Sequence, residues 1–279
     1  MTLTLFDLTY RTARELGVIV EGVATAGGAT SLIDTVERNE AEHYWKGGTV
    51  WILYNADSIG NSPQGKYAVI TAFASDSDTL TFPTLTDAVG AGDRYALAIS
   101  RFPLYSLISA VNRALNEIMI PVVDTTTVDT AVDKSEYSIV LAANLDLRRV
   151  YMQGRLNDAN DNQWQELLNW EIQPVAAGTA DLLVFPYQLP SGYDIKLVYA
   201  APHTNLNIYS DKLADMVDWR RVVYRAAYYL MLNEQMQTGK EDRVTLDAIE
   251  RFQRRAEEAD IYYRVPIPSK PSHLMIPEA

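Results

Sequence analysis

Residues 210–263 read SDKLADMVDWRRVVYRAAYYLMLNEQMQTGKEDRVTLDAIERFQRRAEEADIYY, and the second half repeats at a 4-3-4-3-4 spacing: Thr245, Ile249, Phe252, Ala256, Ala259, Tyr263. That spacing is one continuous stripe on a helix of 3.6 residues per turn. Asp247, Glu250, Arg251, Arg254, Arg255, Glu257 and Glu258 fall between the stripe positions, where they meet water. The first half carries Leu213, Val217, Val222, Ala226, Ala227, Leu230 and Met236 among Tyr224, Tyr228 and Tyr229. Ser210 is a candidate N-cap, because its hydroxyl can accept from an orphan N–H of the first turn. Gly239 reaches positive φ cheaply and suits the end of the first arm. Asp242 then stands in the first turn of the second arm, where the helix dipole favours an anion. The short break at Gly239 predicts two antiparallel neighbours, an αα-hairpin.

Upstream, the texture alternates. Residues 3–16 predict a helix capped by Thr4, with Leu5, Leu8, Thr12 and Leu16 on one side and Gly17 at its end. From residue 18 to about 101 short β runs dominate. Thr49-Val50-Trp51-Ile52-Leu53-Tyr54 is the strongest, and Tyr67–Phe73, Leu80–Phe82 and Arg94–Ile99 follow. Pro103 opens another amphipathic helix, with Leu104, Leu107, Ile108, Val111, Leu115 and Ile118 as its stripe and Ile120-Pro121 as its stop. Residues 122–205 return to β texture. Strand candidates are Tyr137–Leu141, Arg149–Met152, Trp164–Ile172, Leu182–Phe185 and Ile195–Tyr199. Asn157–Asn162 and Leu189-Pro190-Ser191-Gly192 read as turns.

Neither lone helix is long enough to stand by itself. The expectation is therefore an α+β chain: a small helical bundle of four helices, closed by the C-terminal αα-hairpin, with two inserted β-sandwich or barrel modules. Residues 1–17, 102–121 and 206–265 make the bundle. Residues 18–101 make the first β module and 122–205 the second. Residues 266–279 form an extended tail punctuated by Pro266, Pro268, Pro271 and Pro277, which cannot continue a helix.

The chain has 279 residues, a formal net charge of −12 and 48% hydrophobic residues. That charge argues against a surface that grips duplex nucleic acid, which needs clustered Lys and Arg. It is compatible with a passage through which nucleic acid slides without sticking. Seventeen tyrosines suit half-buried surfaces between layers or subunits, because each ring has a polar tip. With no cysteine, disulfides and thiolate metal sites are unavailable. No apolar run approaches the roughly 20 residues of a membrane helix. Met1-Thr2-Leu3-Thr4 does not begin a signal peptide, so synthesis in a cytoplasm is expected.

The residues offer little chemistry. His43, His203 and His273 are far apart and none forms a metal-spaced pair. His43 within Glu40–Trp45 reads as a polar stretch before a strand. Gly-x-Ser-x-Gly and the Walker pattern are absent. Asp158-Ala159-Asn160-Asp161-Asn162 begins like a calcium loop. Gln163 stands where Gly is needed, however, and Asn169 where the bidentate Glu belongs. Trp51, Tyr151, Trp164 and Trp170 offer rings to a sugar, but such aromatics usually fill a sandwich core. No enzyme, cofactor or metal is expected.

Ala41-Glu42-His43-Tyr44-Trp45-Lys46-Gly47-Gly48-Thr49-Val50-Trp51-Ile52-Leu53 is followed by Ala68–Phe73, Leu80-Thr81-Phe82 and Gly90-Ala91-Gly92-Asp93-Arg94-Tyr95. This order resembles a β module of tailed-bacteriophage virion proteins. The helical parts resemble head–tail connector adaptors, whose small bundle docks beneath the portal ring. The resemblance implies a homo-oligomeric ring, commonly of twelve copies, between portal and tail, located in the virion neck and assembled in the host cytoplasm. Its implied partners are the portal protein, tail or tail-terminator proteins, and genomic DNA passing through the lumen without sequence-specific contact. No membrane is involved. The C-terminal extension would clamp onto portal or neighbour, which nominates Pro266, Ile267, Pro268, Pro271, Leu274 and Ile276 as partner-binding residues. The other expectation is a tail or baseplate component whose β modules bind host glycans.

Overall fold

The computed structural model describes residues 3–56, 62–126, 134–139, 146–153, 164–173, 181–189, 194–239 and 243–269. The chain divides into two compact units, residues 1–117 with 204–264, and residues 118–203 with 265–279.

The first unit opens with α1 (Leu5–Glu15), capped by Thr4. A reciprocal box closes its first turn: the Asp7 carboxylate accepts from the Thr4 N–H at 2.9 Å, while the Thr4 hydroxyl accepts from the Asp7 N–H at 3.5 Å. The N–H groups of Leu5 and Phe6 donate to the carbonyls of Asp211 and Tyr209, so the segment before the C-terminal hairpin satisfies the orphan donors of this helix. Eight short strands follow: β1 (Ile19–Val23), β2 (Ala26–Gly27), β3 (Ser31–Ile33), β4 (Thr49–Tyr54), β5 (Tyr67–Val69), β6 (Ala72–Ala74), β7 (Thr79–Thr81) and β8 (Arg94–Ala98). They make two antiparallel sheets, ordered β1-β8-β4-β5 and β2-β3-β7-β6.

One core lies between these sheets, built on Leu32, Trp45, Val50, Ile52, Ile70, Phe73, Leu80, Tyr95 and Leu97. Side chains alternate along a strand, so Val50 and Ile52 enter that core while Thr49 and Trp51 turn to the opposite face. That face is closed too. Trp51 is fully buried, its indole N–H donates to the Thr9 hydroxyl of α1 at 3.2 Å, and its ring meets Tyr10 edge-on. Ala96 lies across from Trp51 and Ala98 across from Thr49, small residues that let the helix approach the sheet.

Three helices complete the unit: α2 (Leu104–Asn116), α3 (Trp219–Thr238) and α4 (Arg243–Tyr262). Pro103 is the N-cap of α2 rather than its first helical residue. α3 starts eight residues later than the Ser210 cap implies. Asp218 caps it, its carboxylate accepting from the Arg220 N–H at 2.9 Å. Residues around Lys212 are already engaged with the N-terminus: Lys212 bridges to Thr4, and the Leu213 N–H donates to Leu3. Gly239 ends α3 in the left-handed region at φ 61°. On α4, Phe252, Ala256 and Ala259 are buried, with Thr245, Ile249 and Tyr263 half-buried along the same stripe. Asp242 lies outside the described residues. Arg225 reaches Glu117 at 2.5 Å and also pairs with Asp260, so one cation ties α3 to the end of α2 and to α4.

The second unit holds β9 (Met119–Thr126), β10 (Lys134–Ile139), β11 (Asp146–Gln153), β12 (Trp164–Leu167), β13 (Glu171–Gln173), β14 (Asp181–Leu189) and β15 (Ile195–Pro202). They form two antiparallel sheets, β12-β11-β15-β9 and β10-β14-β13. Their core contains Tyr137, Leu147, Val150, Leu167, Trp170, Leu183, Phe185, Ile195 and Leu197. Pro121 sits on the edge strand β9, where a missing donor is tolerated. Pro186 lies within the stretch of β14 where its pairing with β10 shifts register.

The expectation of a helical bundle with inserted β modules is thereby corrected. Among the described residues, fifteen strands in four antiparallel sheets stand against four helices, and the protein is β-rich. The physical reason lies in Trp51. The sheet that holds it is an internal layer, packed on one face against the second sheet and on the other against α1.

Candidate functional site

The exposed side of α1 faces a groove of about 920 Å³ in the first unit. Its walls are Asp7, Tyr10, Arg11, Arg14 and Glu15 from α1, Glu21 from β1, Leu53 and Tyr54 from β4, Arg94 from β8, and Trp219 from the start of α3. The capping box sets the rotation of α1. With Leu5, Leu8, Thr9 and Thr12 buried, Arg11 and Arg14, one turn apart, fall on the open side.

The three carboxylates of this groove are all engaged. Asp7 closes the capping box. Glu15 pairs with Arg255 at 2.9 Å. Glu21 accepts from the Tyr10 hydroxyl at 2.6 Å and lies 3.6 Å from Arg94. Burial, and then the Glu21 hydrogen bond and charge, push the Tyr10 phenol up to about 12, so it remains a donor at neutral pH. The arginines are less satisfied. Arg11 stacks on Trp219, its guanidinium carbon 4.4 Å from the ring centroid, and Arg14 is exposed. Neither forms an ion pair among the described residues. The lining is thus neutral in sum, three arginines with three carboxylates, but Arg11 and Arg14 stand without an ion-pair partner among the described residues, beside the Trp219 ring.

A second polar cluster is internal. Asp34 is fully buried, accepts from the N–H groups of Val36 and Glu37 and from the Tyr95 hydroxyl, and lies 3.8 Å from Arg38. Burial and the Asp34 hydrogen bond raise the Tyr95 phenol strongly. Gly22 passes directly over this pair. A Cβ there would stand 2.5 Å from the Tyr95 hydroxyl oxygen and 2.9 Å from an Asp34 oxygen. This cluster fastens the loop after β3 to β8.

Of the nominated partner-binding residues, Pro266 is exposed, and Ile267 and Pro268 are half-buried in a segment without regular structure. Pro271, Leu274 and Ile276 lie outside the described residues, as do Asp158–Asn162, Gln163 and His273. His43 takes a positive φ of 64° in an exposed turn beside Glu42, which accepts from Ser75. His203 is buried. Of the aromatic residues weighed for sugars, Trp51 and Trp170 are core. Trp164 and Tyr151 both flank the Lys196 ammonium, at 4.4 and 5.0 Å. Spacing does not reveal the Arg11–Trp219 contact, because the two residues are distant in sequence and Trp219 is the first residue of α3 rather than an interior one. The available signal was the Arg11/Arg14 spacing on the polar side of α1.

Comparison with protein-family models finds no match for this chain, and comparison with curated proteins finds none.

Proposed function

We propose that this chain is a structural virion protein of a tailed bacteriophage, a head-to-tail connector adaptor that forms a homo-oligomeric ring of twelve copies in the neck. The portal protein lies on one side and tail or tail-terminator proteins on the other. DNA slides through a lumen that the net charge of −12 keeps from sticking. Assembly occurs in the host cytoplasm, with no membrane partner and no catalysis. Among the described residues, no helix is long and apolar enough to cross a membrane. The reading starts from the resemblance of residues 41–95 and of the helical segments.

One structural observation supports it. Among the described residues, the large apolar side chains that are at least three-quarters exposed are Tyr105, Met236, Val244, Ile261 and Tyr262, and these stand on α2, α3 or α4. Helices that keep such residues in water are suited to a neighbouring subunit. Native mass spectrometry and negative-stain imaging of the purified full chain, with and without portal protein, test the proposal. A closed ring is expected, and Ile261→Asp with Tyr262→Asp should dissociate it. A chain that stays monomeric in both conditions overturns the assignment. Deleting residues 266–279 should abolish docking to the portal, and unchanged docking would refute the role given to the tail.

A further inference from the structure

We infer that the groove beneath α1 is a docking site for an acidic peptide segment of another protein, with Arg11 and Arg14 receiving its carboxylates. The inference stands apart from the neck assignment and does not need a ring.

The first argument is charge. Arg11, Arg14 and Arg94 line the groove together with Asp7, Glu15 and Glu21. The carboxylates are already committed, to the capping box, to Arg255, and to Tyr10 with Arg94. Arg11 and Arg14 are left without a counter-ion among the described residues. A guanidinium is a planar fork of donors that matches a carboxylate with two parallel hydrogen bonds. The Trp219 ring holds the plane of Arg11 in place, which lowers the ordering cost when an anion arrives.

The second argument is shape. The groove is about 920 Å³, far larger than one anion needs. Its remaining walls are Phe6, Leu53, Tyr54 and Trp219, apolar or aromatic surface suited to the side chains beside an acidic residue. The Tyr10 hydroxyl stays protonated well above neutral pH, so it adds a neutral polar wall rather than a negative one.

The third argument separates a peptide from a nucleic acid. A phosphate backbone brings a charge at every step, and this groove is bordered by Asp7, Glu15 and Glu21 on a chain of net charge −12. One or two carboxylates spaced for Arg11 and Arg14 gain the attraction with less of that repulsion, because they bring fewer charges. A peptide with an acidic residue beside an aromatic one fits both the charge and the apolar wall.

Fluorescence anisotropy with the full chain tests this. The probes are a labelled Ala-Glu-Tyr-Glu-Ala peptide, its Gln-substituted counterpart, and a labelled single-stranded DNA oligonucleotide. The acidic peptide should bind at least about tenfold more tightly than the Gln peptide and than the DNA, because charge-assisted bonds form only with the first. Arg11→Gln with Arg14→Gln should abolish that preference, while Arg11→Lys with Arg14→Lys should retain part of it. Both arginines lie on the open side of α1, so the variants should keep the circular dichroism spectrum and melting temperature of the parent. The Lys pair controls for any loss of fold. Equal binding of the two peptides, unchanged binding by the Gln pair, or tighter binding of DNA than of the acidic peptide would each overturn the proposal.

Discussion

The sheet β1-β8-β4-β5 of the first unit and the sheet β12-β11-β15-β9 of the second are both four-stranded and antiparallel, and each packs one face on a second sheet. They treat their other faces differently. In the first, Thr49, Trp51, Ala96 and Ala98 are fully buried, and Trp51 bonds to α1. In the second, Tyr151 lies between Glu166 and Lys196 in register, and these half-buried groups face away from Val150 and Leu197. Arg149 reaches Glu166 at 3.5 Å beside them. A strand's composition therefore reports how many of its faces are covered. Thr49–Leu53 is a nearly unbroken apolar run, as two-sided burial requires, whereas Arg149-Val150-Tyr151 alternates.

Truncation at matched positions is the sharpest way to break this comparison. Trp51→Ala should cost about 3–5 kcal/mol, since it empties a fully enclosed site. Tyr151→Ala, on the half-buried face of the second sheet, should cost about 1 kcal/mol. Urea denaturation followed by circular dichroism reads both, and equal costs would sink the claim that only the first sheet is covered on both sides.

Gly22→Ala probes how tightly β1 closes over the Tyr95–Asp34 pair. The new methyl would meet two buried oxygens, so a loss of about 1–3 kcal/mol is expected in the same assay. A neutral result would mean that β1 moves freely away from β8.

The smallest effect sharpens the account of the α1 face. Tyr10 is raised from its ordinary 10.0 to about 12, by burial first and Glu21 second. A group whose folded pKa is raised contributes stability that is fully present below its unfolded value. Tyr10's share should therefore persist up to about pH 10 and fade as pH rises through about 12. Glu21→Gln should move the phenolate titration downward but leave it above 10.0, because burial remains. An unchanged ultraviolet titration would show that the Glu21 contact does not form.

Much of the local structure was legible in the residues. Thr4 caps α1 as expected, Gly239 stops α3, and the stripe Thr245 to Tyr263 faces inward on α4. The start of α3 was not legible. Ser210 and Asp218 are both competent caps, and the choice fell to Asp218 because the residues around Lys212 pair with the N-terminus far away in sequence. The groove was half legible: Arg11 and Arg14 share a side by spacing alone, but Trp219 joins them only through folding.

Helix and strand periodicity, caps and breakers act over a few residues, so this sequence by itself determined the four helices and the longer strands and which of their sides are apolar, but not every boundary: the single run Trp164–Ile172 is two strands, β12 and β13, in different sheets. Which layer covers which was decided by tertiary structure alone. Trp51 meets Thr9 across 42 positions of chain, and Arg225 joins Glu117 and Asp260 from three different helices. Such contacts depend on which apolar faces find each other once the chain collapses, and burial free energy is not directional enough to be read from spacing.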